Sequence, residues 1–75
     1  MINRAADRWP YEQVADILRA RIQAGELGPK LPSYAQLAEE LDVAPMTVQR
    51  ALKVLKDEGL IYGKPGLGTF VAESE

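Results

Sequence analysis

Seventy-five residues with no cysteine and no histidine, a formal charge of −2, 47% hydrophobic and 27% charged content describe one small globular domain. A chain of this size buries only about 60% of its unfolded surface, so its core is marginal and a partner chain would help hold it. The composition excludes a disulfide framework, thiolate metal ligation and histidine acid–base chemistry. No apolar run approaches the ~18 residues of a membrane span and no signal peptide opens the chain, which makes the cytoplasm the expected location.

Residues 1–9 read as a polar arm with frayed structure, ending in Trp9, and 10–72 as the folded domain. Trp9 is expected to pack as a cap on the end of the first helix or on a partner chain. From Tyr11, the residues Tyr11, Val14, Ala15, Leu18 and Ile22 fall in one stripe at the helical period, with Glu12, Asp16, Arg19 and Gln23 opposite. The first helix therefore covers 10–24, and Gly25 stops it.

"ELGPKLPS" carries one glycine and two prolines and cannot continue a helix. Lys30-Leu31 suits a short extended piece, because a residue before proline is pushed towards β or polyproline geometry. Ser33 is the N-cap of a second helix over 34–41, with Gln36 three residues on to complete a capping box. Leu37, Ala38 and Leu41 face inward. Asp42-Val43-Ala44 make a turn, and Pro45 stands at the first position of a third helix, where proline is best tolerated. That helix runs over 45–58 and ends at Gly59. Leu60-Ile61-Tyr62 and Thr69-Phe70-Val71 are strand-like around the glycine-rich "GKPGLG", which gives a hairpin. Residues 73–75 are a short tail. The expected fold is mainly α with a small β-hairpin: a winged helix-turn-helix of three helices plus a two-stranded wing over 62–70.

On the third helix, Val48, Ala51, Leu52 and Leu55 share one arc of about 100°, and Met46, Gln49, Arg50, Lys53 and Asp57 occupy the opposite one. Thr47 lies at the flank. Such a helix suits the major groove of double-stranded DNA, where one face packs on the core and the other reaches base edges and phosphates. Gln49 can pair with adenine and Arg50 with guanine, while Lys53 and Thr47 suit phosphate. Free amides at the start of the second helix, near Ser33, suit a further phosphate. Tyr34 is expected to donate its hydroxyl to a phosphate, the alternative being that it packs under the third helix. In the wing, Lys64 is the expected phosphate ligand, Gly66 and Gly68 allow close backbone approach, and Thr69 adds a hydroxyl.

No catalytic set is visible. Glu39-Glu40 and Asp57-Glu58 are neighbours about 100° apart on a helix and read as solvated surface acids. Gly66-Leu67-Gly68 is too short for a dinucleotide fingerprint. Neither an enzyme, a cofactor, a metal site nor a small-molecule effector site is expected in this chain.

The stretches "PYEQVADILRARIQAGEL", "LPSYAQLAEELDV", "TVQRALKVLKDEGLI" and "GLGTFV", in this order and spacing, resemble the N-terminal domain of GntR-family bacterial transcriptional regulators. The resemblance implies a winged helix, a homodimer on an inverted-repeat operator, and usually a separate effector-binding domain, for which no sequence follows Val71 beyond four residues. A stand-alone small regulator and a piece of a longer one are both compatible with it. The chain departs from the family pattern at several cationic positions. Tyr34-Ala35 stands where Glu-Arg is common, Ala44-Pro45 where Ser-Arg is common, Gln49 for an arginine, and Leu67 for the arginine of the wing.

Residues 45–70 nonetheless hold four basic side chains (Arg50, Lys53, Lys56, Lys64) against two acidic ones (Asp57, Glu58), so the negative balance lies mostly elsewhere. The expected function is a sequence-specific DNA-binding transcriptional regulator, most simply a repressor. Fewer cations weaken the sequence-independent part of affinity, so useful binding is expected from a dimer. The competing reading is a winged helix turned into a protein-interaction module.

Overall fold

In a computed structural model of the chain, residues 8–72 are described. The arm expected over 1–7 and the tail over 73–75 lie outside the described residues. Three helices, α1 (Pro10–Gln23), α2 (Tyr34–Leu41) and α3 (Pro45–Asp57), precede two strands, β1 (Ile61–Lys64) and β2 (Gly68–Val71). The expected winged helix-turn-helix is present, with boundaries shifted by a residue or two. Ala24 and Glu58 are caps rather than helical residues, and the strands reach further towards the tip of the hairpin.

Local chemistry sets the helix ends. Trp9 is extended, and its N–H donates to Glu12 Oε1 at 3.0 Å, while Pro10 holds the first helical position of α1. The Ser33 Oγ accepts from the Gln36 N–H at 3.2 Å, and the Ser33 N–H donates to Gln36 Oε1 at 3.2 Å, the reciprocal pair of a capping box. α3 has no side-chain cap at Ala44 and begins on Pro45 instead. At its far end the Leu60 N–H returns to the Leu55 carbonyl (3.0 Å) and the Gly59 N–H to the Lys56 carbonyl (2.9 Å), which closes the helix and turns the chain into β1. Between α2 and α3, Asp42 takes the left-handed conformation (φ 57°), one that aspartate tolerates better than most side chains.

The core lies where α3 packs on α1 and α2. Val14, Ala15 and Leu18 from α1, Leu37, Ala38 and Leu41 from α2, and Val48, Ala51 and Leu55 from α3 meet there with Leu31 and Ile61. Their spacings are those of single helical stripes. Tyr11 and Ile22, expected in the α1 stripe, are only half-buried, and so is Leu52 on α3. No polar or charged residue is buried among the described residues.

The hairpin pairs Ile61 with Val71, Tyr62 with Phe70, Gly63 with Thr69 and Lys64 with Gly68. The extended piece expected at Lys30-Leu31 adds a further rung on the outer edge of β2. Lys30 bridges Phe70, the Leu31 N–H donates to the Thr69 carbonyl at 2.9 Å, and the Val71 N–H to the Pro29 carbonyl at 2.8 Å.

Two expectations need correction. Trp9 does not pack on the end of α1: it is 70% exposed in the single chain, which leaves only the expected contact with a partner chain. Glu58 is not a freely solvated acid. Arg19, from the outer side of α1, grips it bidentately and so ties α1 to the end of α3.

Candidate nucleic-acid interface

α3 presents a free face between two flanks. On one flank Leu52 shares a groove with Ser33, Tyr34, Gly68 and Thr69; on the other, Val54 and Glu58 line a cleft with Tyr11, Asp16 and Arg19. Met46, Gln49, Arg50 and Lys53 are all exposed between them, and Thr47 is half-buried. By the helical period Gln49 lies within about 60° of Leu52, and Arg50 within about 40° of Val54. The two side chains expected to read bases together therefore stand at opposite edges of the face, with Met46 and Lys53 in the middle.

Arg50 does not extend freely. Its guanidinium lies 4.5 Å from the centroid of the Tyr11 ring, at the first turn of α1. Lys53 makes an exposed 3.5 Å ion pair with Asp57 one turn on, a contact that water and salt loosen.

At the start of α2, the capping box engages the Ser33 hydroxyl: it accepts from Gln36 and lies 3.4 Å from Gln36 Oε1. The amides of Tyr34 and Ala35, in the first helical turn, have no intrahelical acceptor and are the groups free to meet a phosphate. Tyr34 is 42% exposed at the rim of the groove.

The wing divides by face. Tyr62, Lys64, Gly68 and Phe70 share one side by the strand register, and Gly63 and Thr69 the other. Tyr62 and Phe70 stack with centroids 5.9 Å apart, and the Lys64 ammonium lies 5.3 Å from the Phe70 ring and 5.8 Å from that of Tyr62. Thr69 points instead into the groove beside Leu52, so Lys64 and Thr69 are not brought together as one contact. The tip closes with the Leu67 N–H on the Lys64 carbonyl at 2.9 Å. Pro65 and Gly66 (φ 78°) fill its central positions, and only glycine or asparagine readily takes the second of these in a type II turn. Leu67 stands 60% exposed at the end of that turn.

Sequence reasoning missed Lys30. Its bridge to Phe70 puts it on the same wing face as Lys64. Its stem crosses Gly68 so closely that a Cβ there would sit 2.8 Å from Lys30 Cε. A pairing across 40 positions leaves no periodic signal in the sequence. Tyr11, read as core, is the second omission; its ring supports a cation.

Charge is sorted by location. Arg8 pairs with Asp16, Arg19 with Asp16 and Glu58, and Arg21 with Glu40. Lys30, Arg50, Lys56 and Lys64 have no carboxylate partner among the described residues. The unneutralised cations thus lie on α3, on the wing and on the extended piece bridged to it, Lys53 having only its exposed pair with Asp57, and the neutralised arginines lie on or just before α1.

Three helices, the second and third joined by a tight turn, and a two-stranded wing define a winged helix-turn-helix. The chain belongs to the bacterial regulatory proteins, gntR family, whose pattern it matches over residues 10–71. It is 40% identical over 74 residues to the HTH-type transcriptional repressor NagR of Bacillus subtilis (strain 168), which covers 96% of this chain and 30% of that protein. The chain thus spans about a third of the length of this relative. YtrA from Sulfolobus acidocaldarius, a GntR-family transcription factor, superposes with a TM-score of 0.82 at 38% identity, covering all of this chain and 80% of that one. AraR(DBD) in complex with operator ORR3 superposes with a TM-score of 0.76 at 34% identity, covering 83% and 77%. Among the described residues no helix is long and apolar enough to cross a membrane.

Proposed function

We propose that this chain is the DNA-reading part of a cytoplasmic transcriptional repressor, without enzymatic activity. α3 enters the major groove of double-stranded DNA, and the wing lies on the adjacent backbone or minor groove. The observation that carries the reading is the sorting of charge: on α3 and the wing Arg50, Lys56 and Lys64 have no carboxylate partner and Lys53 has only an exposed pair with Asp57, while Arg8, Arg19 and Arg21, on or just before α1, are neutralised. A phosphate backbone rewards that arrangement, since each neutralised phosphate releases counterions. AraR(DBD), a related fold, is known in complex with operator ORR3, which supports DNA as the partner.

Gln49, Met46 and Lys53 meet base edges, and Thr47, half-buried on the Val54 flank, meets a phosphate. The first amides of α2, with Ser33 and Tyr34 around them, hold a phosphate. Lys64, with Gly66, Gly68 and Thr69 in the wing, lines the backbone. Two copies on an inverted repeat supply the affinity that one copy, whose α3 and wing carry no arginine but Arg50, lacks.

The test is fluorescence anisotropy on random duplex DNA followed by selection of bound sequences, at two salt concentrations. Enrichment of an inverted repeat, with affinity falling steeply as salt rises, is expected. No enrichment and no salt dependence would refute the reading and favour a protein-interaction module, which the exposed Met46 and Leu67 would then serve.

A further inference from the structure

We propose that Tyr11 is a positioning residue for Arg50, holding its guanidinium at the α1 edge of α3 for a backbone phosphate rather than a base. The inference rests on the DNA-binding reading above.

Among the described residues, Arg8, Arg19 and Arg21 all close on carboxylates, at 3.1, 2.7 and 3.5 Å. Arg50 closes on a neutral ring, 4.5 Å away. A carboxylate cancels the charge it holds. A ring covers only one face of the guanidinium and leaves the in-plane N–H donors and the full charge available to an anion. The acids in the neighbouring cleft are engaged elsewhere: Asp16 and Glu58 hold Arg8 and Arg19, and Glu12 accepts from the Trp9 N–H.

Position then selects the anion. Arg50 stands about 100° around α3 from Gln49 and in line with Val54, on the flank that faces α1. A helix lying in the major groove has base edges below its central row and sugar–phosphate backbones along its flanks. Held over a ring of another helix, the guanidinium is drawn further to the flank, away from Met46 and Lys53. Tyr11 is a firm support, half-buried and preceded by Pro10 at the start of α1. Ordering a long arginine before DNA arrives removes part of the entropy lost on binding.

The experiment uses the full chain and its selected duplex, with Arg50→Ala, Tyr11→Leu, Tyr11→Phe and the double variant Tyr11→Leu/Arg50→Ala, each checked by thermal melting. Tyr11→Met replaces Tyr11→Leu if the latter fails to fold. Tyr11→Leu is expected to weaken binding about two- to fivefold, alike on matched and mismatched sites. Tyr11→Phe keeps wild-type affinity, and in the Arg50→Ala background Tyr11→Leu adds no further loss. Arg50→Ala lowers the slope of log Kd against log salt by about 0.9. In the free protein, the Arg50 δ protons show an upfield ring-current shift that Tyr11→Leu abolishes.

A changed preference at one base pair with an unaltered salt slope in Arg50→Ala would make Arg50 a base reader and overturn the phosphate assignment. Unchanged affinity in Tyr11→Leu, or an equal loss with and without Arg50, would overturn the positioning role. A wild-type chain that binds no DNA would instead strike the proposed function itself, and this inference with it.

Discussion

Arg19 holds Glu58 through two hydrogen bonds, Nε to Oε1 at 2.9 Å and Nη2 to Oε2 at 2.7 Å, and its Nη1 meets Asp16 at 2.8 Å. A carboxylate at the C-terminal end of a helix is opposed by the helix dipole, and the guanidinium offsets that opposition. Hydrogen bonding to Arg19 keeps the Glu58 carboxyl below its ordinary value, and hydrogen bonding to Glu58 keeps Arg19 above its own. Because the Glu58 value is lowered in the folded chain, its contribution is complete above about 4.5, the ordinary glutamate value, and is lost as pH falls through the lower folded one. Arg19 stays protonated throughout. Glu58→Gln should therefore melt below the wild type at pH 7, and the gap should close towards pH 3. The pair is exposed, so the gap is small and narrows with salt. Circular-dichroism melts across that range check it; a gap independent of pH would mean the pair contributes nothing through charge.

What the sequence made legible was local. Ser33 with Gln36, Pro45 at the start of α3 and Gly59 at its end are codes complete within a few residues, and the apolar stripes of the three helices follow from period alone. Arg19 and Glu58 are 39 positions apart, and Lys30 and Phe70 meet only because β2 pairs on both edges. Neither contact has a periodic signature. The exposed arc of α3 follows from period, but which of its edges meets α1 and which the wing depends on packing, which a helical wheel does not contain. Trp9 is a large apolar side chain that suggests burial on α1, yet it stands 70% exposed in the single chain.

Gly68 joins two demands in one position. Its φ of 117° is unfavourable for any side chain, and a Cβ there would meet Lys30 Cε at 2.8 Å. Lysine is flexible and can retreat; the backbone cannot. Gly68→Ala should lower stability by about 1–3 kcal/mol, and adding Lys30→Ala should recover little of it. Urea denaturation gives the answer, and an unchanged midpoint for Gly68→Ala would show that the wing relaxes without cost.

Ser33 separates capping from DNA contact. Ser33→Ala should cost about 0.5–2 kcal/mol through the lost cap. Ser33→Asp keeps a capping oxygen and the stability with it, but sets a negative charge where the α2 amides are proposed to hold a phosphate. Its DNA affinity should fall while its melting temperature holds. Undiminished affinity would remove the phosphate from that helix end.

Gln49 and Lys64 should fail in different ways. Gln49→Ala is expected to relax preference at one base pair, by about 1–3 kcal/mol of discrimination. Lys64→Ala should weaken all sequences alike and lower the salt slope by about 0.9. Binding to a panel of single-base operator variants at several salt concentrations distinguishes them. If both variants shift the same base preference, the wing reads sequence and the assignment of roles is wrong.

Leu67 tests whether the wing reaches DNA at all. It ends the type II turn at the hairpin tip, 60% exposed, where the family commonly carries arginine. Since the side chain makes no buried contact, Leu67→Arg should leave the melting temperature within the usual range of a surface change, about ±0.5 kcal/mol. A wing lying along the minor groove or the backbone would gain a cation there. The variant should bind more tightly at low salt, with a slope steeper by about 0.9 and the selected sequence unchanged. Equal affinity and equal slope, with the fold intact, would place the wing tip clear of the duplex and leave α3 and the start of α2 to carry the contact.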